Sequence, residues 1–144
     1  MLAEAVPSIA ARVPGVQFVV ARAPNLDDGL VEPLGLSGVP IRIVDTQTDD
    51  VLNACDAVVT ASGTATVQTA LHGKPMVVIY KLSPMTYRLG IRLARVGKYA
   101  MVNLIAGDGR SVELVRDACH PAAVADEAVR LVTDDAERRR MVPV

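Results

Sequence analysis

The sequence has few aromatic residues: no Trp, three Tyr and one Phe among 144 residues. Proteins that hold single-stranded nucleic acid stack the bases on aromatic side chains, so this composition argues against that class. The 15 basic and 16 acidic side chains leave a net charge of −1, which argues equally against a protein that coats nucleic acid. No apolar run approaches the roughly 18 residues of a membrane span. We therefore expect no nucleic-acid partner and no transmembrane helix.

Cysteine and histidine are also scarce, with two residues of each. Cys55 and Cys119 are far apart in the sequence, and we expect them to be free, buried thiols of a protein in a reducing cytoplasm. His72 and His120 have no clustered cysteines near them, so a structural zinc site has little support. The sequence therefore predicts neither a metal site nor a cofactor.

Short apolar runs alternate with helical periods along the chain. Continuous apolar strands separated by helices are typical of a parallel sheet with helices on both faces. We therefore predict an α/β fold with a Rossmann-like parallel sheet, in a single domain of residues 1–144. The predicted strands are Gln17–Ala21, Ile41–Val44, Ala57–Thr60, Met76–Tyr80 and a candidate at Tyr99–Val102. The predicted helices are Leu2–Arg12, Asp49–Ala54, Thr64–His72, Pro84–Arg95, Pro121–Thr133 and a short last helix that closes at Arg138–Arg140, while Asn25–Val39 is predicted to be a long loop.

The most informative motif is Thr60–Thr66, between the third predicted strand and the helix after it. A helix start offers unpaired backbone N–H groups and the positive end of the helix dipole, which together favour a phosphate group. Ser62 and Gly63 would let a ligand approach the backbone closely, while the hydroxyls of Thr64 and Thr66 could donate to it. The same residues also fit an ordinary Ser/Thr helix cap, and the turn alone does not separate the two interpretations.

Two better-known motifs do not fit these positions. A Walker phosphate loop requires Gly five residues before the Gly-Lys pair, where this chain has Gln68, and Pro75 follows Lys74 in place of Ser or Thr. The pair Gly73-Lys74 is therefore predicted to end a helix. A hydrolase elbow requires Gly two residues to either side of the Ser, so Ser62 is not predicted to be a nucleophile.

Further candidate ligand contacts follow the ends of the predicted strands. In an open parallel sheet, ligands bind outside the carboxyl ends of the strands. The Ser62-Gly63 turn, the Tyr80-Lys81 segment and the loop that starts at Asn103 all lie at that predicted edge. Three loops that converge on one edge strengthen the hypothesis of a ligand site there.

The segment from Lys81 to Lys98 carries five basic residues and no acid. Arg88, Arg92 and Arg95 share one face of the predicted helix by their i, i+4, i+7 spacing. A solvated basic face is the simpler interpretation. The alternative is contact with lipid phosphate groups or an anionic membrane surface, which the lack of compensating acids in this segment favours.

Taken together, several of these segments resemble one known family, lipid-A-disaccharide synthase. The resemblance covers residues 16–133 and is carried, in order and spacing, by Ala61–Thr66, Gly73–Val78, Tyr80–Pro84, Asn103–Gly107 and Glu113-Leu114. It implies the second, nucleotide-binding half of a GT-B glycosyltransferase, a fold of two Rossmann-like domains. Such enzymes transfer diacylglucosamine from UDP to a diacylglucosamine 1-phosphate acceptor in lipid A biosynthesis, as peripheral proteins on the cytoplasmic face of the inner membrane.

The resemblance also implies roles for individual residues. Ser62, Gly63 and Thr64 would hold the diphosphate or the uridine. Asn103 and Glu113 match family positions around the sugar-nucleotide pocket. Their chemistry fits this role, because Asn can donate and accept at sugar hydroxyls while Glu accepts from them.

The chain departs from the family pattern at three places. Gln68 stands where the family has a Glu, which in related GT-B enzymes accepts hydrogen bonds from the ribose hydroxyls. A Gln can still bond these hydroxyls, but without the strength of a charged acceptor. Asp108 replaces the Arg of an Ala-Gly-Arg sequence, and Arg116 replaces a Gln. The departures leave the fold prediction unchanged and the details of the pocket open.

By the same resemblance, an acceptor-binding N-terminal domain is missing, and the chain is predicted to be a fragment that is inactive alone. Its partners would be UDP-diacylglucosamine, the lipid phosphate acceptor, the missing domain and an anionic membrane surface. The alternative is a Rossmann-like domain that binds or interacts without catalysis, because such scaffolds serve many functions. The segment from Asn103 to Glu113 favours the transferase, whereas Gln68 and Asp108 favour a degenerate site.

Overall fold

The structure is a computed structural model that describes residues 1–23, 26–80, 111–115 and 118–141. Helices and strands alternate along this part of the chain, and every described strand pair is parallel. The α/β class predicted from the sequence is therefore confirmed. The elements are, in order, α1 (Leu2–Arg12), β1 (Phe18–Arg22), a 3-10 helix (Asp28–Leu30), α2 (Glu32–Gly35), β2 (Ile41–Asp45), α3 (Thr48–Ala54), β3 (Val58–Ala61), α4 (Thr64–Leu71), β4 (Met76–Tyr80), β5 (Val112–Val115), α5 (Pro121–Thr133) and α6 (Asp135–Met141).

The described strands form two parallel ladders where the sequence predicts one sheet. β1 pairs with β2, and β3, β4 and β5 form the second ladder in that spatial order. Among the described residues, no strand pairing joins the two ladders. They nevertheless share a core, because Phe18 of β1 and Val59 of β3 pack against the same buried cluster.

One face of the β3–β4–β5 ladder is covered by α1 and α5. Val77 and Leu114 are buried there against Ile9 of α1 and against Val124 and Leu131 of α5. Burying a side chain of this size contributes about 1.5–3 kcal/mol. This cluster is the main core of the described chain, and it packs the ladder against α1 and α5.

The opposite face of the same ladder is covered by α4. Strand residues alternate between faces, and here Met76 and Val78 of β4 pack with Val58 of β3 and Ala70 of α4. The predicted arrangement, with helices on both faces of a parallel sheet, is therefore found for this ladder.

Most element boundaries agree with the sequence predictions. The helices at Leu2–Arg12 and Pro121–Thr133 and the strand at Met76–Tyr80 begin and end where the sequence places them. The other predicted elements that fall within the described ranges are found with ends shifted by one or two residues. The predicted helix Pro84–Arg95 and the candidate strand Tyr99–Val102 lie outside the described residues.

Besides the division into two ladders, two findings differ from the predictions. The segment Asn25–Val39, predicted to be a loop, contains the 3-10 helix and α2. The 3-10 helix is stabilised by Asp27, whose carboxylate accepts from the Gly29 N–H at 2.7 Å, and by an ion pair between Arg22 and Asp28. The second difference is β5, a short strand that the sequence analysis does not assign. Four residues are too few to show the alternating pattern of a strand in the sequence, and β5 is recognised only by its pairing with β4.

Candidate functional site

The Ser-Gly turn lies at the carboxyl end of β3, where the strand passes into α4. Ser62 still belongs to the sheet, because its N–H donates to the carbonyl of Ile79 at 3.1 Å. Gly63 then turns the chain with φ +155° and ψ −161°, a conformation essentially restricted to glycine. The helix begins at the next residue, Thr64. We call residues 62–64 the strand–helix junction.

Among the described residues, the space beside Gly63 and Thr64 is open. The N-cap residue of α4 is Gly63, which has no side chain to cap the helix. A Cβ added at Gly63 would meet no described atom within 4 Å, and Thr64 is exposed. Backbone N–H groups at such a helix start, together with the positive end of the helix dipole, attract phosphate and carboxylate groups. The junction therefore has the general features of an anion-binding helix start.

Thr66 does not have the ligand-binding role predicted for it. The residue is fully buried, and its hydroxyl donates to the carbonyl of Gly63 at 2.7 Å. Thr69 repeats this pattern one turn later, donating to the carbonyl of Ala65 at 2.7 Å. The prediction of direct ligand contact by Thr66 is therefore wrong. Its hydroxyl instead fixes the Gly63 peptide in the turn.

The carboxyl ends of β3, β4 and β5 meet at the edge that carries the junction. The register pairs Ala61 with Ile79 and Tyr80 with Val115. Ser62 and Tyr80 therefore stand at neighbouring strand ends, as the sequence analysis predicts for these two segments.

Glu113 lies on β5, next to Val78 in the strand register. Val78 faces α4, and residues paired in register share a face of the sheet, so Glu113 lies on the α4 face. Tyr80, two residues beyond Val78, lies on the same face. The structure thus brings Tyr80 and Glu113 to the face whose helix starts at the junction. The remaining predicted contacts lie outside the described residues: Lys81, Asn103, Arg88, Arg92 and Arg95.

Gln68 lies on the side of α4 that faces α3. Its Nε2 donates to Oδ1 of Asp49 at 2.8 Å, and Nε2 of His72 lies 3.0 Å from the same oxygen. The other ring nitrogen of His72, Nδ1, lies 2.9 Å from Oδ1 of Asn53. Residues at i and i+4 share a helix face, so Asp49 and Asn53 of α3 meet Gln68 and His72 of α4 as two facing pairs. We call these four residues the α3–α4 polar cluster.

The polar cluster carries a negative charge at the protein surface. The Asp49 side chain is 69% exposed. Hydrogen bonds from Gln68, and then from His72, hold the pKa of the Asp49 carboxyl below its usual range. The group is therefore ionised at neutral pH and serves only as an acceptor.

The turn Gly73-Lys74-Pro75 ends α4, as the sequence analysis predicts. Gly73 has φ +62°, the left-handed conformation typical of the residue after a helix. Lys74 Nζ donates to the carbonyls of Asn53 and Cys55 at 2.9 Å each, and so caps the end of α3. Burial raises the pKa of the Cys55 thiol, which argues against a nucleophilic thiolate at this position.

The described residues include two free cysteines and no cluster of metal-ligating side chains. Cys55 and Cys119 are free thiols, as predicted, but only Cys119 is buried, so the prediction of burial is wrong for the half-buried Cys55. Within the described ranges, no three or more His, Cys, Asp or Glu side chains are placed to hold a metal ion. In the same ranges, no helix has the length and apolar character that a membrane crossing requires.

Comparison with known proteins agrees with the motifs around the junction. A family model described as lipid-A-disaccharide synthetase matches residues 2–142. The chain belongs to this family. Among the curated lipid-A-disaccharide synthases, those of Geobacter sulfurreducens and Nitrosococcus oceani are each 38% identical to it, over 137 and 143 residues. The synthase of Trichlorobacter lovleyi is 41% identical over 123 residues.

The alignments with these synthases cover most of this chain but little of the relatives. They include 94%, 98% and 85% of the chain, in the order given, but only 36%, 37% and 32% of the three relatives. The chain thus spans about a third of the length of the synthases that it matches. The family resemblance predicted from the motifs is confirmed.

Sequence reasoning missed Asp49 as a partner of Gln68. A signal was available, since two consecutive predicted helices each carry a polar i, i+4 pair, Asp49 with Asn53 and Gln68 with His72. Whether such pairs meet depends on how the helices pack, which the pattern alone does not determine.

Proposed function

We propose that this chain is the UDP-sugar-binding part of a lipid-A-disaccharide synthase, the C-terminal domain of a GT-B glycosyltransferase. The complete enzyme would transfer diacylglucosamine from UDP to diacylglucosamine 1-phosphate in lipid A biosynthesis. The observation that carries the proposal is the strand–helix junction, where a helix begins directly after a glycine at the carboxyl edge of a parallel sheet. Family membership supports it, since the relatives carry the synthase name.

The nucleotide would lie across the junction with its diphosphate at the start of α4. The backbone N–H groups of Gly63 and Thr64 would donate to phosphate oxygens, and the hydroxyls of Ser62 and Thr64 would add neutral donors. Tyr80 and Glu113 would flank the sugar from β4 and β5. A carboxylate such as Glu113 accepts strongly from sugar hydroxyls.

The other parts of the proposal depend on the sequence pattern. Lys81 and Asn103 would complete the pocket. The acceptor site and the catalytic acid or base would belong to an N-terminal domain, for which the length of the relatives leaves room. The chain would then be inactive alone, and the enzyme would work as a peripheral protein at the cytoplasmic face of the inner membrane.

Calorimetric titration tests the phosphate contact. UDP is expected to bind at least about tenfold more tightly than uridine, because hydrogen bonds to a charged group contribute about 1.5–3 kcal/mol and 1.4 kcal/mol is a factor of ten. Uridine is the matched control, since it shares the base and the ribose but lacks the diphosphate. Equal affinities for the two ligands, or no binding of UDP, would contradict the proposal.

The basic segment leads to a separate prediction about membranes. Replacing Arg88, Arg92 and Arg95 with Gln is expected to reduce co-sedimentation with anionic vesicles, because each Arg near such a surface contributes about 1 kcal/mol at low salt. Added salt should also reduce binding. Replacing Arg138–Arg140 of α6 with Gln removes the same charge elsewhere and should leave vesicle binding unchanged. Binding that is absent, insensitive to salt or equally reduced by the control would mean that the basic face is only solvated.

A further inference from the structure

The Asp49 carboxylate determines how the amide of Gln68 is oriented. A carboxylate only accepts hydrogen bonds, whereas the amide has a donating NH2 group and an accepting carbonyl oxygen. The 2.8 Å contact with Oδ1 of Asp49 therefore takes the NH2 group. The carbonyl oxygen Oε1 then points to the other side of the amide, where no described residue donates to it.

Asp49 is itself held by the helix that carries Gln68. Nε2 of His72, one turn further along α4, lies 3.0 Å from the same Asp49 oxygen. The His72 ring is held in turn by Asn53, one turn along α3 from Asp49. The contact between Asp49 and Gln68 is therefore one part of a network that fixes two helices against each other, rather than an isolated surface hydrogen bond.

We propose that Asp49 is a positioning residue for the nucleotide, which holds Gln68 so that its carbonyl oxygen can accept from a ribose hydroxyl. The inference rests on the proposed function and on the family resemblance, by which Gln68 stands at the position of a ribose-binding Glu. The negative charge then lies on α3 instead of at position 68, while position 68 still presents an acceptor. Asp49 and Gln68 would together replace the single Glu of the family pattern.

A carboxylate at position 68 would conflict with this arrangement. Glu in place of Gln68 would bring a second negative oxygen to the Asp49 contact without a proton to share, and like charges so close repel each other. Gln68→Glu alone is therefore expected to weaken UDP binding. With Asp49→Asn in the same chain, the repulsion disappears, and Glu at position 68 is expected to tighten UDP binding as a charged acceptor.

A double-mutant cycle in the 144-residue chain tests the inference, with UDP affinity measured by calorimetry. Gln68→Glu is expected to weaken UDP binding about fivefold when Asp49 is present and to tighten it about fivefold in the Asp49→Asn background, each the effect of about one hydrogen bond. Asp49→Asn alone should weaken binding about threefold, because Asn can also donate and no longer fixes the amide. Asp50→Asn makes the same charge change on the next residue of α3, and in that background Gln68→Glu should still weaken binding.

The reversal of sign is the result that a purely structural contact would not produce. Urea denaturation verifies that each variant is folded, which is expected because the Asp49 side chain is mostly exposed. If Gln68→Glu has the same effect in both backgrounds, the positioning role of Asp49 is overturned, while UDP binding by the unmodified chain leaves the proposed function standing. If no variant binds UDP, the proposed function fails and the positioning role fails with it.

Discussion

Supplied with both lipid substrates, the purified 144-residue chain is expected to release no UDP above background. Glycosyl transfer requires donor and acceptor to be held together, and such positioning can supply roughly 7–11 kcal/mol of a barrier. The chain spans only 36% of the G. sulfurreducens synthase that it matches, and the proposed acceptor site is not part of it. Loss of positioning alone corresponds to a rate lower by about five orders of magnitude or more.

The assay needs a positive control that contains both proposed domains. The full-length G. sulfurreducens synthase serves this purpose, because the matched region is 38% identical. UDP release would be measured for both proteins at the same concentration and with the same lipids. Turnover by the chain within about a hundredfold of the control would contradict the account, since positioning is worth far more than that. It would mean that acceptor binding and catalysis belong to residues assigned here to the nucleotide alone.

Replacing Gly63 with Ala is expected to lower the free energy of unfolding by about 1–3 kcal/mol, the usual cost of a backbone conformation that an L side chain rarely adopts. The added methyl group would meet no described atom within 4 Å, so the cost comes from φ +155° and not from a clash. Relief of the strain would rotate the peptide that presents the first N–H groups of α4. We therefore expect UDP affinity to fall by at least about tenfold, the loss of one charge-assisted hydrogen bond.

Gly35→Ala is the matched control for this substitution. Gly35 ends α2, has equal room for a methyl group and does not have a positive φ. Ala at such a position is expected to be neutral or to stabilise the fold by up to about 1 kcal/mol, with UDP affinity unchanged. Urea denaturation and UDP calorimetry measure both effects. If Gly63→Ala and Gly35→Ala behave alike in both measurements, the conformation of Gly63 does not determine the junction.

The sequence predicts the main layers of the fold because local signals agree there with the final packing. Helix α5 begins with Pro121 at its first turn and follows a clear apolar period, and both ends are found as predicted. β4 is a continuous apolar run, as expected for a strand buried between two helical layers. The residues of such elements are enough to specify the helix or strand, so the sequence pattern alone predicts it.

The sequence could not predict elements that depend on distant partners. β5 has only four residues and is defined by its pairing with β4. Within Asn25–Val39, the 3-10 helix is supported by the ion pair of Asp28 with Arg22, which lies on β1. The pattern groups Thr66 with the ligand-binding hydroxyls because it shows residue types but not burial. These errors mostly concern contacts made by folding, although the cap of the 3-10 helix by Asp27 is a local signal that the sequence analysis does not use.

The same reasoning applies to the candidate site. The Ser62-Gly63 turn could be found from the sequence because a strand, a glycine and a helix follow one another directly. From the sequence, Gln68 is interpreted as a weaker hydrogen-bond acceptor than the family's Glu, and this interpretation takes no account of its neighbours in the fold. The structure adds Asp49 at 2.8 Å from Gln68, and beside this carboxylate Gln68→Glu is expected to weaken UDP binding.

Amide NMR during titration with UDP tests the central claim most directly, namely that a nucleotide binds at the strand–helix junction. The account predicts that the backbone amides of residues 62–66 shift most, because N–H groups at the start of α4 would donate to the diphosphate. Uridine should shift the same amides less. Shifts confined to the amino ends of the strands, around Val58 and Met76, or no shift with UDP at all, would contradict the account.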